Sequence, residues 1–396
     1  MKDTFKVIKT DQTGLEWCNS DPPAPELPTL FIVASARYNG EKAIRRDIVL
    51  RAPHEVIDGI GTLILLNNYL TRAAEAYAQP QDFKFVDLGK EHLNLTPPFR
   101  VIAAIPVAPS LEQQIFLEHS IAASKAFREH EAIASLPCLT GAKLPGVHKR
   151  IAIKLSPERT QQLLNACKSI GFTVTHAFHA AIGLVLRDLQ PRTEVRRSVR
   201  YISYCLINHR KDCLEPYSGS KHPVSVIHSV PKCSLVVDFE VPSDRVYPPE
   251  DHSSSRKAEF LKGVLQVREF YQSVRDEKHH LALSPLYFRM ATPTVTDEVL
   301  RGSVLPQVPE PDPSPTATIS SIGRIDDIVA HEHGPFKLDN PWVTGEELRN
   351  GLGTFLGTWK GQLTFSAAYN DAWHDQDEVL AFLQRCEEII FGSLIL

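Results

Sequence analysis

The chain of 396 residues has room for about two or three domains of ordinary size. Its 43 Lys and Arg against 47 Asp and Glu leave a net charge of −4. That excludes a polyanion-binding surface as its main function, because nucleic-acid affinity rests on concentrated positive charge. With 43% hydrophobic and 23% charged residues, the chain has the usage of a globular protein large enough to bury a core without disulfide or metal staples, so whole-chain disorder is excluded too.

Taken in chain order, residues 5–8 predict a short strand, and 14–20 show no clear period. The proline-rich stretch 21–28 predicts a loop. Two β-rich runs, 30–33 and 48–50, flank Asn39-Gly40 and predict a hairpin. From 59 to 77 the apolar positions recur at helical spacing, so His54 sits in a strand-to-helix turn. The stretch 141–147 predicts a linker. A strand follows at 151–155, then a helix start at Ser156-Pro157-Glu158, with Ser as N-cap and Pro at the first helical position. A helix is predicted at 175–188, strands at 195–207, 224–227 and 235–241, and a long helix at 253–276. Five prolines between Pro306 and Pro315 predict a loop. A strand at 318–322, a hairpin of 353–359 with 362–369, and an amphipathic helix at 377–391 complete the chain. Strands and helices mix throughout, which predicts an α/β or α+β fold in two lobes, 1–145 and 146–396. The charge and the absence of sustained heptads favour a monomer.

The seven cysteines form no C-x-x-C pair, unlike a disulfide framework or zinc ribbon. The N-terminus lacks the apolar core of a signal peptide. The longest apolar stretch, 60–70, is interrupted by Asn67 and Asn68 and is too short to span a bilayer. These features predict a soluble, cytoplasmic protein with no membrane span.

The residues that carry chemistry are His54-Glu55-Val56-Ile57-Asp58-Gly59, an H-x-x-x-D-G string. An imidazole can take the proton from a hydroxyl as that oxygen attacks a carbonyl. Asp58 can hold the loop by pairing with a cation, and Gly59 permits close backbone approach where the helix begins. The pattern fits equally a satisfied loop histidine with Asp58 as N-cap. A metalloprotease H-E-x-x-H is excluded, since Asp58 stands where the second histidine belongs. His176 and His179 share a helix face, but no third ligand is placed by sequence. They read as core or helix-surface histidines, and no metal is expected. His279-His280 and His331-x-His333 read as solvated. There is no G-x-G-x-x-G, P-loop or G-x-S-x-G.

H-x-x-x-D-G after a strand resembles the chloramphenicol-acetyltransferase-like acyltransferases, which include the plant BAHD enzymes, nonribosomal peptide condensation domains and fungal trichothecene O-acetyltransferases. The stretches FTVTHAFHAAIG (172–183), TISSIGRID (318–326) and TWKGQLTFSAAYN (358–370) are similar to segments of the fungal members. The resemblance implies two similar lobes of mixed sheets with flanking helices, facing each other across a tunnel. It implies direct transfer of an acyl group, expected to be acetyl, from a coenzyme A thioester to the hydroxyl of a hydrophobic secondary metabolite. His54 is then the general base, and no bound cofactor is needed. Alternatives within and beyond the class are condensation or cyclisation of a chain held on an acyl carrier protein, and a non-catalytic binding protein. Asp58 is expected to turn away toward an arginine, with Arg210 as the candidate. Ser320 or Ser321 is a candidate oxyanion donor or an ordinary strand residue. Trp359 and Gln362 are candidate tunnel residues or ordinary hairpin packing. The plant D-F-G-W-G string is absent, and Pro53 stands where some members have a further histidine. Family members carry a longer segment before the motif than the 53 residues here, so the first strand and helices of the N-terminal lobe are expected to be missing.

Overall fold

The computed structural model describes residues 3–36, 44–81, 83–84, 89, 91–128, 132–139, 144–244, 252–291, 311–347 and 349–395. The Asn39-Gly40 turn and parts of 141–147 and 306–315 lie outside them. The N-terminal sheet has the order β1 (Phe5–Thr10), β2 (Thr29–Ser35), β3 (Asp47–Arg51). The first pair is parallel and the second antiparallel. A short helix, α1 (Gly14–Cys18), joins β1 to β2. Its capping box satisfies the orphan amides at its start, Thr13 Oγ accepting from Glu16 N and Glu16 Oε2 from Thr13 N. The aperiodic 14–20 stretch is therefore helical because its cap holds it and because Trp17 packs on Phe31 and Val33 of the sheet.

From β3 the chain turns into α2 (Gly59–Ala78), followed by α3 (Phe99–Ile102) and α4 (Leu111–Arg128). The second half runs β4 (His148–Lys154), α5 (Pro157–Ser169), α6 (Val174–Asp188), β5 (Arg197–Ser203), β6 (Ile207–Asn208), β7 (His228–Ser229), β8 (Leu235–Val241), α7 (His252–Arg275) and α8 (His280–Ala291). It ends with β9 (Ala317–Arg324), β10 (Glu332–His333), β11 (Phe336–Lys337), β12 (Leu352–Trp359), β13 (Gln362–Asn370) and α9 (Gln376–Leu394). Strands β4-β13-β12-β9 form one mixed sheet, antiparallel except where β9 lies parallel to β12. Strands β5 and β8 pair beside it, joined to it where Tyr201 Oη donates to the Ala317 carbonyl at 3.2 Å.

The main core lies where α5, α6, α7 and α9 cover these strands. Every residue of α6 from His176 to Arg187 is buried, as expected of a helix packed on all sides. At Gly183 that packing leaves no space, since a Cβ would overlap the Phe239 ring and come within 3.2 Å of Tyr201. The expected 224–227 strand is not one. The Ile227 amide is given to Asp58 and the Ser225 carbonyl accepts from the Asp58 amide, so this backbone serves the start of α2 and the strand pairing falls at His228–Ser229 instead. The expected 195–207 strand breaks into β5 and β6. Among the described residues no single helix is long and apolar enough to cross a membrane, and no cysteine is in a disulfide.

Gly183→Ala should destabilise by about 1–3 kcal/mol through overpacking. Gly392→Ala in α9, where nothing lies within 4 Å of the new Cβ, should be stabilising by roughly 0.5–1 kcal/mol through helix propensity. Denaturant midpoints of the two variants check both signs.

Candidate active site

A cavity of about 2780 Å³ lies between the N-terminal sheet and the larger C-terminal sheet, lined from β3, the start of α2, β9 and β12. His54 enters it from the turn that follows β3, which is closed by the Val56 amide donating to the Pro53 carbonyl at 3.1 Å. The imidazole is exposed to the cavity, and among the described residues no hydrogen bond holds it. Its nearest aromatic neighbour is His228, edge-on with ring centroids 5.8 Å apart.

Asp58 is 5% exposed and directed away from His54's task. Its Oδ1 accepts from Gly61 N and from Arg210 Nη2, both at 2.7 Å, and its Oδ2 accepts from Ile227 N at 2.9 Å. Asp58 is thus the N-cap of α2 and, in the same group, one half of a buried ion pair with Arg210. His228 Nδ1 stands 3.9 Å from Oδ2. Burial alone would raise the carboxyl, but the His228, Arg210 and Gly61 groups outweigh it and hold it well below the ordinary carboxylate range. Arg210 is itself braced by Asn208, whose Oδ1 takes its amide at 3.1 Å.

Close backbone approach at this corner belongs to Gly61 rather than to Gly59. A Cβ on Gly59 would meet only ordinary contacts, 3.5 Å from Ile322 and 3.7 Å from Val343. A Cβ on Gly61 would run into the Pro223 carbonyl and sit 3.1 Å from Arg210 Nη2. The reason is geometric: Gly61 donates its amide to the carboxylate, so its α-carbon is drawn onto the chain that carries Arg210.

On β9, Ser320 and Ser321 both line the cavity. The register with β12 slips after Ser321, which leaves Ile322 as an extra residue and re-aims the end of the strand. Ser321 Oγ is bonded to Thr175 Oγ1 at 2.9 Å, whereas Ser320 Oγ has no partner among the described residues. Trp359 and Gln362 do not line the cavity. Trp359 packs with Leu63, Ile325 and Val329 at the other end of β12 from the cavity-lining residues 353–355, and Gln362 pairs with it across the turn.

Of the histidine pairs, His176 and His179 are buried, in line with a core reading, whereas His280 and His333 depart from a solvated one. His179 is fully buried, bonded to the Tyr201 hydroxyl at 3.1 Å and the Tyr271 hydroxyl at 3.2 Å, and is pushed down to about 3 by burial and by His176. His176 closes the capping box of α6 with Thr173. Among the described residues no group of three His, Cys, Asp or Glu side chains could hold a metal. His280 and His333 are buried, not solvated. His280 ends a chain that runs Asp212 Oδ2, His209, Ser229 Oγ, His280, each link 2.7 Å. Its order is that of a catalytic triad, but Ser229 is 1% exposed and off the cavity wall, so the chain fastens β6 and β7 to α8. Sequence spacing announces neither this chain nor His228, since their members come from segments far apart.

No family model matches the sequence. The chain is 21% identical over 397 residues to the acetyltransferase pigO of Monascus ruber, which covers 100% of this chain and 77% of pigO. It is 22% identical over 390 residues to the O-acetyltransferase pigM of the same organism, covering 98% and 68%. Among solved structures, the TRI3 trichothecene 15-O-acetyltransferase from Fusarium sporotrichioides matches with a TM-score of 0.72 at 17% identity, over 99% of this chain and 77% of that one. The condensation domain of the monacolin K polyketide synthase MokA matches with a TM-score of 0.54 at 15% identity, over 98% and 79%. The fold is the two-lobed chloramphenicol-acetyltransferase-like one, and the chain is an acyltransferase. Within that class, its relatives along the whole chain are fungal acetyltransferases.

Asp58→Ala should cost about 3–5 kcal/mol, because it leaves Arg210 buried without its partner. The depressed carboxyl sets the pH sign. Its contribution is complete above the ordinary carboxylate value of about 4 and is lost as the pH falls from there toward the depressed one. Urea midpoints from pH 7 down to pH 3 should therefore fall less steeply for Asp58→Asn than for the parent chain. In the same assay Gly61→Ala should destabilise more than Gly59→Ala.

Proposed function

We propose that the protein is an O-acyltransferase that moves an acetyl group from a coenzyme A thioester to the hydroxyl of a hydrophobic secondary metabolite, with His54 as general base. The observation that carries this is the division of labour in H-x-x-x-D-G. Both oxygens of Asp58 are taken by backbone amides and Arg210, while the His54 ring is exposed to the cavity. The acetyltransferase and O-acetyltransferase related to it along its whole length support acetyl as the group and an oxygen as the acceptor atom.

In this reading the acceptor O–H gives its proton to the His54 imidazole as the oxygen attacks the thioester carbonyl. The carbonyl π-electrons move to oxygen, and the tetrahedral oxyanion takes a hydrogen bond from Ser320, whose hydroxyl is unclaimed. Collapse breaks the C–S bond, and the sulfur leaves with the proton returned by the imidazolium. No acyl-enzyme forms, so no nucleophilic Ser or Cys is required. Cys18, on the cavity wall, suits this scheme. Burial pushes its thiol up to about 11 against the lowering influence of Arg51 and Arg150, so it stays protonated. The reading includes lobes at 1–145 and 146–396 and a cytoplasmic monomer that takes its donor as free coenzyme A thioester.

The test is turnover of acetyl-CoA with a panel of terpenoid and polyketide alcohols, followed by thiol release and product mass. His54→Ala should lower the rate by at least about 10²-fold with an unchanged melting temperature, since the ring holds nothing in place. Equal turnover in that variant would remove His54 from the mechanism.

A further inference from the structure

Several cations around the cavity have an anion. Arg51 pairs with Glu346 at 2.6 Å, Lys149 with Asp371 at 3.0 Å and Arg210 with Asp58 at 2.7 Å. Arg150, on β4, does not. It is 7% exposed and lines the cavity. Among the described residues no acceptor meets its guanidinium, and its Nε is buried without a partner. Its main chain is clamped in place, with Asn19 Oδ1 taking its amide and Asn19 Nδ2 donating to its carbonyl, both at 2.9 Å. Its guanidinium carbon lies 4.8 Å from the centroid of the Trp342 ring. Burial pushes its pKa down to about 10, so it is a cation at neutral pH, and the neighbouring Cys18 thiol is neutral there.

An unpaired buried charge is costly, and contact with an aromatic face offsets only part of the cost. Such a group persists where a ligand supplies the missing anion, and the flat guanidinium fork matches the two oxygens of a carboxylate. Location ties this to the reacting end of the cavity. Val343, next to Trp342, lies against Gly59, where a Cβ would be 3.7 Å from it. Two consecutive residues thus reach from Arg150 to the start of α2, just after the His54 turn.

Resting on the acyl-transfer reading above, we propose that Arg150, stacked on Trp342, binds a carboxylate carried by the acyl acceptor, so that the acceptors are hydroxy acids. One buried cation balances a carboxylate's single charge but leaves a monoester phosphate, with nearly two, undercompensated. That favours the acceptor over the donor's terminal phosphate, and the coenzyme A titration separates it from the donor's diphosphate.

The experiment is calorimetric titration of the full chain with decanoate, decanol and coenzyme A, for the parent, Arg150→Gln, Arg150→Lys and His54→Ala. Decanoate should bind the parent at least tenfold more tightly than decanol. Arg150→Gln should erase that difference and leave coenzyme A affinity unchanged, and Arg150→Lys should retain part of it. Arg150→Gln should also melt no lower than the parent, because it removes an uncompensated charge. Equal affinity of the parent for decanoate and decanol, including no binding of either, overturns the proposal. So does a tenfold loss of coenzyme A affinity in Arg150→Gln with decanoate unaffected, which would assign the cation to the donor's phosphates. If Arg150→Gln does not fold, Arg150 is structural and the proposal falls. Carboxylate binding should survive in His54→Ala, and carboxylate binding by a parent chain that itself transfers no acetyl group would sink the transfer reading and leave the anion site standing.

Discussion

The buried pair of Asp58 and Arg210 is the constraint from which the site is built. One carboxylate caps α2, accepts the Ile227 amide and neutralises Arg210. In doing so it joins three segments that sequence separates, the turn after β3, the β6 corner and the strand-like run before β7. An ion pair this buried adds little net stability over an apolar replacement of the same shape, but it is expensive to break from one side. What it supplies here is position. With both oxygens claimed, Asp58 cannot rotate toward His54, and the turn that carries the imidazole has a fixed end. The Asp212–His209–Ser229–His280 chain then fastens β6, which leads into Arg210, and β7, which carries His228, to α8.

The parts of the fold that were legible in the sequence are those in which one periodicity decides the environment. Strand β8 alternates buried and less buried residues along its whole length, and the β12–β13 hairpin turns at Lys360-Gly361, both with positive φ. Helix α8 was not legible, because Pro285 sits inside it and its apolar residues run on without a helical stripe. Residues 224–227 have strand composition, but their hydrogen bonds are used at the α2 terminus. Local propensity has no access to that competition.

The same division holds for the site. His54 and Asp58 are contiguous and fall on a turn that the flanking periodicities define, so their chemistry can be argued from the string itself. Arg210 became a candidate only through resemblance, since nothing in Asn208-His209-Arg210 says which carboxylate it meets. Trp359 shows how a strand residue misleads. It alternates in phase with cavity-lining Phe355 in an unbroken ladder with β13, but it stands four residues further along, where Leu63, Ile325 and Val329 pack against it. Arg150, Trp342 and Asn19 converge from three distant segments, and each alone is unremarkable.

The raised pKa of Cys18 bears on where an acyl group ends up. A thioester meeting a thiolate undergoes exchange, and the carbonyl would pass to the wall of the cavity instead of to an alcohol. Exchange needs the ionised sulfur, and burial at the end of α1 keeps this one as SH at neutral pH. The small N-terminal helix, by sealing that sulfur against the sheet, makes the cavity surface chemically deaf to the cargo it receives. The fidelity of transfer thus depends on a piece of packing at the far end of the chain from most of the core.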